Sequence, residues 1–219
     1  MEVLVSFLLP VRKRPKTLKL SLDSLLNTCS NVSNYEVIVV FDDDDIETIN
    51  EFDSWDKNYN YKKIISQRFG YDFLNKYYNL ASNESSGKWL WVWNDDTEMI
   101  NKNWDLIIEE YNDQFLILNP FNTREMDAVY LQTHTLFPII PRKYVELLGH
   151  ISPWNHIDTY IERICSEYIK NEFRILHTHN KNDDEISKEI VYHRISFPQE
   201  QFEIDFRIIR DFIHGSNNK

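Results

Sequence analysis

The sequence predicts an α/β domain with a mostly parallel central sheet and helices on both faces. Three short apolar runs indicate its strands: residues 3–9, 35–41 and 88–93. They are continuously apolar instead of alternating, which is typical of strands that helices cover on both faces. Segments with apolar residues at helical spacing lie between them, so the first half of the chain alternates strand and helix.

Each element of the first half follows from a local signal. Pro10 closes the first apolar run, and Pro15 opens a helix. The leucines of that helix recur at helical spacing: Leu18, Leu22, Leu25 and Leu26. The second run stops at Asp42, and a weaker strand is expected at 62–66 before a helix at 73–81. The third strong run then completes a βαβαβ order.

The second half is less regular. Short strands are expected at 115–118, 135–140 and 173–176. Helices are expected at 142–148 and 157–169. We expect a polar loop over 180–189 and a frayed tail after His214. No repeat or linker interrupts the chain, so we expect one domain over residues 1–219.

Composition excludes several classes of protein. The chain has 219 residues, of which 27% are charged and 42% hydrophobic, which excludes a disordered chain, a collagen and a coiled coil. The net charge is −11 and the one compact basic run is Arg12 to Arg14, so nucleic acid is not an expected partner. Cys29 and Cys165 form no CxxC motif, and no transmembrane segment is evident. We therefore expect a cytoplasmic protein.

The four glycines are too far apart for the usual phosphate loops. They are Gly70, Gly87, Gly149 and Gly215, so neither a GxGxxG nor a Walker A sequence occurs. Any phosphate group must be held in another way.

Two acidic clusters follow strands. Asp42 to Asp45 comes after the second strand, and Asn94-Asp95-Asp96 after the third. Ligands of open α/β sheets bind beyond the carboxyl ends of strands, although a solvated turn is an alternative for each cluster. Three alternating tryptophans (Trp89, Trp91 and Trp93) lead into the second turn and are expected to place its carboxylates against an aromatic surface. Adjacent carboxylates there repel each other unless a cation lies nearby, and oxygen ligands favour Mg²⁺ or Mn²⁺.

Three segments resemble the nucleotide-binding half of the GT-A glycosyltransferases, in particular the large inverting family related to cellulose and chitin synthases. The segments are Val5 to Pro15, Tyr35 to Asp43 and Ser86 to Asp96. The last contains a small residue, Gly and Lys before an apolar strand and a turn similar to the DxD motif. The resemblance implies a GT-A fold, with a nucleotide-sugar-binding half over 1–105 and an acceptor-binding half over 106–219.

The resemblance also implies roles for individual residues. Asp43 matches the carboxylate that accepts a hydrogen bond from the nucleobase, usually uracil, with Asp42 beside it. The backbone at Pro10 and Val11 would flank the base and ribose. Arg12 would contact the nucleotide sugar; Arg12 and Arg14 could hold the diphosphate or simply solvate a loop.

The same resemblance implies a metal site. Asp96 matches the metal ligand, and Asp95 would contact the ribose or a metal-bound water. His177 and His179 alternate at the end of the last expected strand, and some GT-A enzymes supply a late histidine to the metal, for which His179 is the candidate here. A polar strand end is the alternative for these histidines.

Asp158 is the candidate catalytic base. It lies at the start of an expected helix, about where the family has its catalytic acid, although helix capping would also favour a carboxylate there. Trp154, just upstream, could form a sugar platform or a hydrophobic staple for that helix.

Together these residues predict a metal-dependent glycosyltransferase. The expected donor is a nucleoside-diphosphate sugar, with UDP favoured and GDP possible, and the expected acceptor is a hydroxyl group of a glycan or another molecule. Transfer with inversion is expected. The alternatives are a sugar-nucleotide nucleotidyltransferase, which normally has a glycine-rich loop after the first strand, and a non-catalytic nucleotide-sugar-binding module.

Overall fold

The protein is described by a computed structural model over residues 2–112, 114–122, 136–177 and 195–216. The loop expected at 180–189, and His179 with it, lie outside the described residues.

Eight strands of the described chain form one sheet, in the order β3-β2-β1-β4-β7-β6-β8-β5. The strands are β1 (Val5–Val11), β2 (Tyr35–Asp42), β3 (Asn60–Ser66), β4 (Trp89–Val92), β5 (Thr97–Met99), β6 (Ile117–Asn122), β7 (Ile139–Pro141) and β8 (Ile169–His177). The helices are α1 (Pro15–Thr28), α2 (Ile46–Ser54), α3 (Leu74–Glu84), α4 (Trp104–Glu109), α5 (Arg142–Leu148), α6 (Ile157–Cys165) and α7 (Gln199–Ser216).

The expected α/β architecture is confirmed. Strands β3, β2, β1 and β4 are parallel neighbours, and β6 is parallel to β8. Strand β7 is antiparallel to both β4 and β6, and β5 is antiparallel to β8. Parallel pairs therefore predominate, and the four consecutive parallel strands are the ones that carry the acidic clusters.

Helices cover both faces of the sheet. Helices α1, α2 and α4 contribute to one apolar core, and α3, α5, α6 and α7 contribute to the other. The three alternating tryptophans are buried in the first core, where the ring of Phe7 stacks on Trp91 at 5.0 Å. Trp93 Nε1 donates to Ser21 on α1, and the Trp91 ring meets that of Trp104 on α4 at 6.0 Å. The expectation that the tryptophans place the carboxylates of the turn against an aromatic surface stays a prediction. Burial of large aromatic area makes this core a main source of stability.

The sequence suggested that the first strand ends before Pro10, but β1 includes Pro10 and ends at Val11. The carbonyl of Leu8 accepts a hydrogen bond from the Trp93 amide at 3.0 Å, so the backbone groups of Leu8 face β4. Backbone groups of every second residue in a strand point to the same neighbour, so the nitrogen of Pro10 also faces the β4 side. The register between β1 and β4 ends at Leu8 and Val92. Pro10 thus lies where β4 offers no partner, and its missing N–H group costs no hydrogen bond.

Several other boundaries differ from expectation. The helix expected over 157–169 ends at Cys165, and after a 3₁₀ turn β8 begins at Ile169 instead of 173. The strand expected at 115–118 runs from Ile117 to Asn122. Four elements had no counterpart in the sequence analysis: α2, α4, α7 and β5. The helix at 142–148 has the expected bounds.

Gly87 fixes how closely the start of β4 approaches β1. A Cβ atom at this position would lie 2.6 Å from the backbone nitrogen of Ser6. Its own N–H donates to Ser6 Oγ at 2.8 Å. A larger residue would therefore push β4, and the acidic turn that follows it, away from β1.

Both cysteines are free thiols. Across the described residues, none of the helices has the length and apolarity that crossing a membrane requires.

Candidate functional site

The carboxyl ends of β1, β2 and β4 bring three polar segments to one edge of the sheet. Residues 12–14 follow β1. The aspartate run 42–45 begins at the last residue of β2, and Asp95 and Asp96 follow β4. The parallel register of these strands is what places the segments side by side. Val11, at the end of β1, is buried and pairs with Phe41.

Asp42 is a buried carboxylate held from two sides. It accepts a hydrogen bond from the hydroxyl of Tyr77, on α3, at 2.5 Å and one from Arg12 Nη1 at 3.0 Å. Burial raises the pKa of Asp42, and these two partners oppose that shift. Burial and the bond to Asp42 raise the pKa of Tyr77 to about 12.

Asp44 and Asp45 are also engaged. The guanidinium of Arg12 donates to both carboxylate oxygens of Asp44, and this contact holds the pKa of Asp44 below its ordinary value. Asp45 caps α2 by accepting from the Thr48 amide at 3.4 Å, and it also accepts from the Lys13 amide at 2.6 Å. Lys13 has a φ of 52°, a left-handed conformation that this contact helps to hold.

Asp43 differs from its three neighbours. Its side chain is exposed and makes no hydrogen bond or ion pair within the described parts of the chain. Its backbone is fixed, because its N–H donates to the carbonyl of Ser66 at 2.8 Å. Asp43 therefore has a fixed backbone and an exposed carboxylate, next in sequence to Asp44, which Arg12 contacts.

Asp95 and Asp96 are both buried, and Arg14 lies against them. Its Nη1 is 3.3 Å from Asp95 Oδ1 and 3.2 Å from Asp96 Oδ2. The sequence predicts a cation near these two carboxylates, with Mg²⁺ or Mn²⁺ favoured. Arg14 is one such cation, so the repulsion between the carboxylates does not by itself require a metal. The interpretation of Arg12 and Arg14 as mere solvation of a loop was wrong, since each pairs with two aspartates.

Tyr78, on α3, contacts the start of the acidic turn. Its hydroxyl lies 3.0 Å from the carbonyl oxygen of Trp93 and 2.7 Å from Asn94 Oδ1, either of which can accept its proton. Burial raises the pKa of Tyr78 well above its ordinary value, and the negative charges of Asp95, Asp96 and Asp158 add to that rise. These two contacts hold the start of the acidic turn against α3.

Asp158 lies in the first turn of α6. Its Oδ1 accepts from the Thr159 amide at 2.7 Å and from the Thr159 hydroxyl at 3.4 Å. Desolvation raises the pKa of Asp158, and these bonds only partly offset it. A raised pKa is one of the properties that a general base requires.

Trp154 is packed against neighbouring aromatic side chains. Its ring meets that of Phe197 edge-on at 5.1 Å and lies 4.4 Å from the His156 ring, and its Nε1 donates to the Ile195 carbonyl at 3.3 Å. These contacts hold the segment that precedes α7 against α6. They favour the packing role over a sugar platform.

The late histidines are only partly placed. The backbone of His177 ends β8 and pairs with Thr97, the residue after Asp96. The end of β8 therefore lies beside the acidic turn. His179, the proposed metal ligand, is outside the described residues.

The donor set fits an oxygen-liganded divalent cation that shares its coordination with a substrate. Asp95 and Asp96 present buried carboxylate oxygens at the edge of the sheet. Mg²⁺ and Mn²⁺ sites of this kind use one or two carboxylates together with substrate phosphates. Within the described residues no group of three or more His, Cys, Asp and Glu side chains could hold a metal ion.

Two tyrosines of the site were missed as functional residues. A helix was expected at 73–81, but neither Tyr77 nor Tyr78 was given a role in the site. Periodicity shows which face of a helix is buried, but not that a hydroxyl at its end reaches Asp42 or Asn94. The partners of Arg12 and Arg14 were missed for the same reason, because they lie on other strands.

Comparisons with known proteins address the family. Residues 6–177 match glycosyl transferase family 2. The fold is similar to that of the mannosyltransferase PcManGT from Pyrobaculum calidifontis in complex with GDP-Man and Mn²⁺, with a TM-score of 0.66 and 12% identity over 96% of this chain and 70% of that one. It is also similar to the S. aureus TarS 1-349 fragment in complex with UDP-GlcNAc, with a TM-score of 0.62 and 15% identity over 87% of this chain and 62% of that one.

At these identities the structural likeness concerns the fold. The same TarS fragment in a further structure aligns over 78% of this chain, which spans 58% of that fragment. No curated protein matches the chain in sequence. The family match covers most of the chain, and the parallel strands with acidic turns at their carboxyl ends lie within it, so the chain belongs to glycosyl transferase family 2.

Proposed function

We propose that the chain is a metal-dependent glycosyltransferase that moves a sugar from a nucleoside-diphosphate sugar to a hydroxyl acceptor with inversion. Family membership supports the reaction class. Fold relatives in complex with UDP-GlcNAc and GDP-Man support the donor class. The observation that carries the proposal is the arrangement at the sheet edge. The exposed carboxylate of Asp43 follows β2, and the buried pair Asp95 and Asp96 follows β4, so the two flank the end of β1 from either side.

Asp43 would read the base of the donor. A carboxylate accepts hydrogen bonds, so it suits the ring N–H of uracil or guanine and is repelled by the ring nitrogen of cytosine, which is itself an acceptor. Its three neighbours are committed to Tyr77, Arg12 and the cap of α2. The backbone at Pro10 and Val11 would flank the base and ribose.

Asp96 and Asp95 would hold Mn²⁺ or Mg²⁺ together with the diphosphate, with His179 as a further candidate ligand. When bound, the metal would stabilise the negative charge that develops on the leaving diphosphate. Arg12, fixed in place by Asp42 and Asp44, would present its guanidinium beside the nucleotide.

Asp158 would accept the proton of the acceptor hydroxyl. Inversion is a single displacement, so one group must take that proton as the hydroxyl attacks. The raised pKa of Asp158 favours proton transfer to it. Its place in the first turn of α6, about where the resemblance puts the family's catalytic acid, also supports this role.

The test is a binding series over nucleoside diphosphates. With Mn²⁺ present, UDP or GDP should bind more tightly than CDP, and the Asp43→Ala variant should lose this preference. Loss of one hydrogen bond to a charged group costs about 1.5–3 kcal/mol, so binding of the preferred nucleotide should weaken roughly ten- to a hundredfold. Titration calorimetry measures each affinity.

The matched control is Asp56→Ala, which removes one exposed carboxylate outside the sheet edge. It should leave all affinities unchanged. If the Asp43→Ala variant keeps full nucleotide affinity, Asp43 does not bind the nucleobase, and Asp42 or Asp44 becomes the next candidate. A protein that binds a nucleotide sugar but neither transfers nor hydrolyses it would be a non-catalytic binding module.

A further inference from the structure

Arg14 occupies the two carboxylates that the proposed metal needs. One nitrogen, Nη1, lies within 3.3 Å of both Asp95 and Asp96. The exposed fractions of the three side chains are 16%, 9% and 7%. Water screens such an enclosed contact less than it screens a surface ion pair, so the attraction is substantial. A metal ion must overcome this contact before it can bind.

The charges determine when metal and arginine can coexist. These three side chains by themselves sum to a charge of minus one, and a divalent ion on the same carboxylate oxygens would place a second cation beside the guanidinium. Two cations on one carboxylate pair repel each other. A diphosphate removes this conflict, because it offers oxygens to the metal and a bidentate partner to the guanidinium.

The backbone of Arg14 is anchored independently of its side chain. Its carbonyl accepts from the Leu18 amide at 3.0 Å and from the Thr17 hydroxyl at 3.1 Å, at the start of α1. A change of partner at the guanidinium therefore needs side-chain rotation only, and α1 stays in place.

We propose that Arg14 is a built-in competitor of the divalent metal. It holds Asp95 and Asp96 while the donor is absent, and it turns to the diphosphate when metal and nucleotide bind together. Metal alone then binds weakly, and each ligand strengthens the binding of the other by the same factor. The inference rests on the proposed function in one respect, the assignment of the metal to Asp95 and Asp96.

The test measures Mn²⁺ binding without turnover. Electron paramagnetic resonance reports free Mn²⁺ during titration of the wild type, Arg14→Gln, Arg14→Lys and the matched control Lys16→Gln, each with and without UDP. Lys16 is an exposed cation two residues away, so its variant has the same loss of charge. Without nucleotide, Arg14→Gln should bind Mn²⁺ at least about tenfold more tightly than the wild type. Arg14→Lys and Lys16→Gln should remain close to the wild type.

The coupling between ligands should also change. In the wild type UDP should tighten Mn²⁺ binding strongly, and in Arg14→Gln this factor should be smaller. Equal Mn²⁺ affinity of Arg14→Gln and the wild type without UDP would overturn the inference, as would an equal gain in Lys16→Gln. If Arg14→Gln fails to fold, a tenfold gain in Arg14→Lys would overturn it.

The two proposals fail in different ways. A wild type that binds no Mn²⁺ even with nucleotide would remove the proposed metal site and this inference with it. A wild type that binds Mn²⁺ with UDP, but whose Arg14→Gln variant shows no gain, would remove this inference alone.

Discussion

Asp158 carries a half-buried carboxylate, and its hydrogen bonds within the described residues come from Thr159 alone. The pKa of this group is raised above 3.8, so the folded state favours its neutral form. The stability that this shift contributes is present below the unfolded pKa and is lost as pH rises through the folded pKa. At neutral pH the ionised side chain therefore destabilises the protein.

This residue yields a prediction that separates a catalytic role from a capping role. Asp158→Asn should lower sugar transfer by ~10²–10⁴-fold and leave nucleotide and metal affinities unchanged. It should also raise the midpoint of thermal unfolding at pH 7, and this gain should shrink toward pH 4. Steady-state kinetics and calorimetric melting measure the two effects.

The control for this variant is Glu162→Gln, one turn further along α6, which should keep its turnover. A destabilised Asp158→Asn with unchanged turnover per folded molecule would make Asp158 a helix-capping residue. A retained anomeric configuration in the product would exclude the single displacement.

The positions of the acidic residues could be predicted from the sequence, but not which of them are hydrogen-bonded and which are exposed. The run Asp42 to Asp45 was identified as one cluster at a strand end. Which member remains available depends on Tyr77 and Arg12, which reach it from α3 and from the loop after β1. Spacing along one strand contains no information about such partners. The family resemblance assigned Asp43, and the exposed side chain of Asp43 is compatible with that assignment.

Among the elements, α7 is fixed by a buried polar contact. Asp205, on α7, accepts from the Tyr160 hydroxyl at 2.6 Å and from Gln201 at 2.8 Å, and His150 Nε2 lies 3.2 Å from it. Only 1% of the Asp205 side chain is exposed. This cluster joins α7 to α6 and to the end of α5, in the half of the chain that holds Asp158.

Removal of this carboxylate should destabilise the packing of α7 and leave the proposed nucleotide site unchanged. Asp205→Ala leaves the Tyr160 hydroxyl buried without its acceptor, which costs about 1–3 kcal/mol of unfolding free energy. Urea denaturation measures the loss, and hydrogen exchange should show the amides of α7 opening first. Asp211→Ala, on the exposed side of the same helix, should change neither. Equal effects of the two variants would contradict this role of Asp205.

The elements that the sequence missed are short or depend on tertiary contacts. Helix α2 begins at Ile46, directly after the aspartate run, and Asp45 caps it, but no helix was expected there. Strand β5 has three residues and exists because β8 pairs with it. Strand β8 could be predicted only in its apolar part, since its first residues are held by β6 instead of by their own pattern.

For the whole molecule, continuous apolar runs were sufficient to predict the parallel sheet, and the fold places its acidic turns at one edge. The net charge of −11 makes that edge a poor place for a diphosphate without a cation. Arg12 and Arg14 supply two positive charges there, but both are already paired with aspartates. We therefore expect nucleotide binding to depend on a divalent metal.

Calorimetric titration with UDP and GDP, in Mn²⁺ and in excess chelator, tests this dependence most directly. The wild type should bind the preferred nucleotide at least about tenfold more tightly with Mn²⁺, since charge-assisted contacts to the diphosphate would be lost without it. Asp96→Asn should abolish the difference, Asp95→Asn should reduce it, and the exposed control Asp23→Asn should keep it. Equal affinity of the wild type in Mn²⁺ and in chelator would contradict a metal-dependent nucleotide site at the carboxyl edge of the sheet.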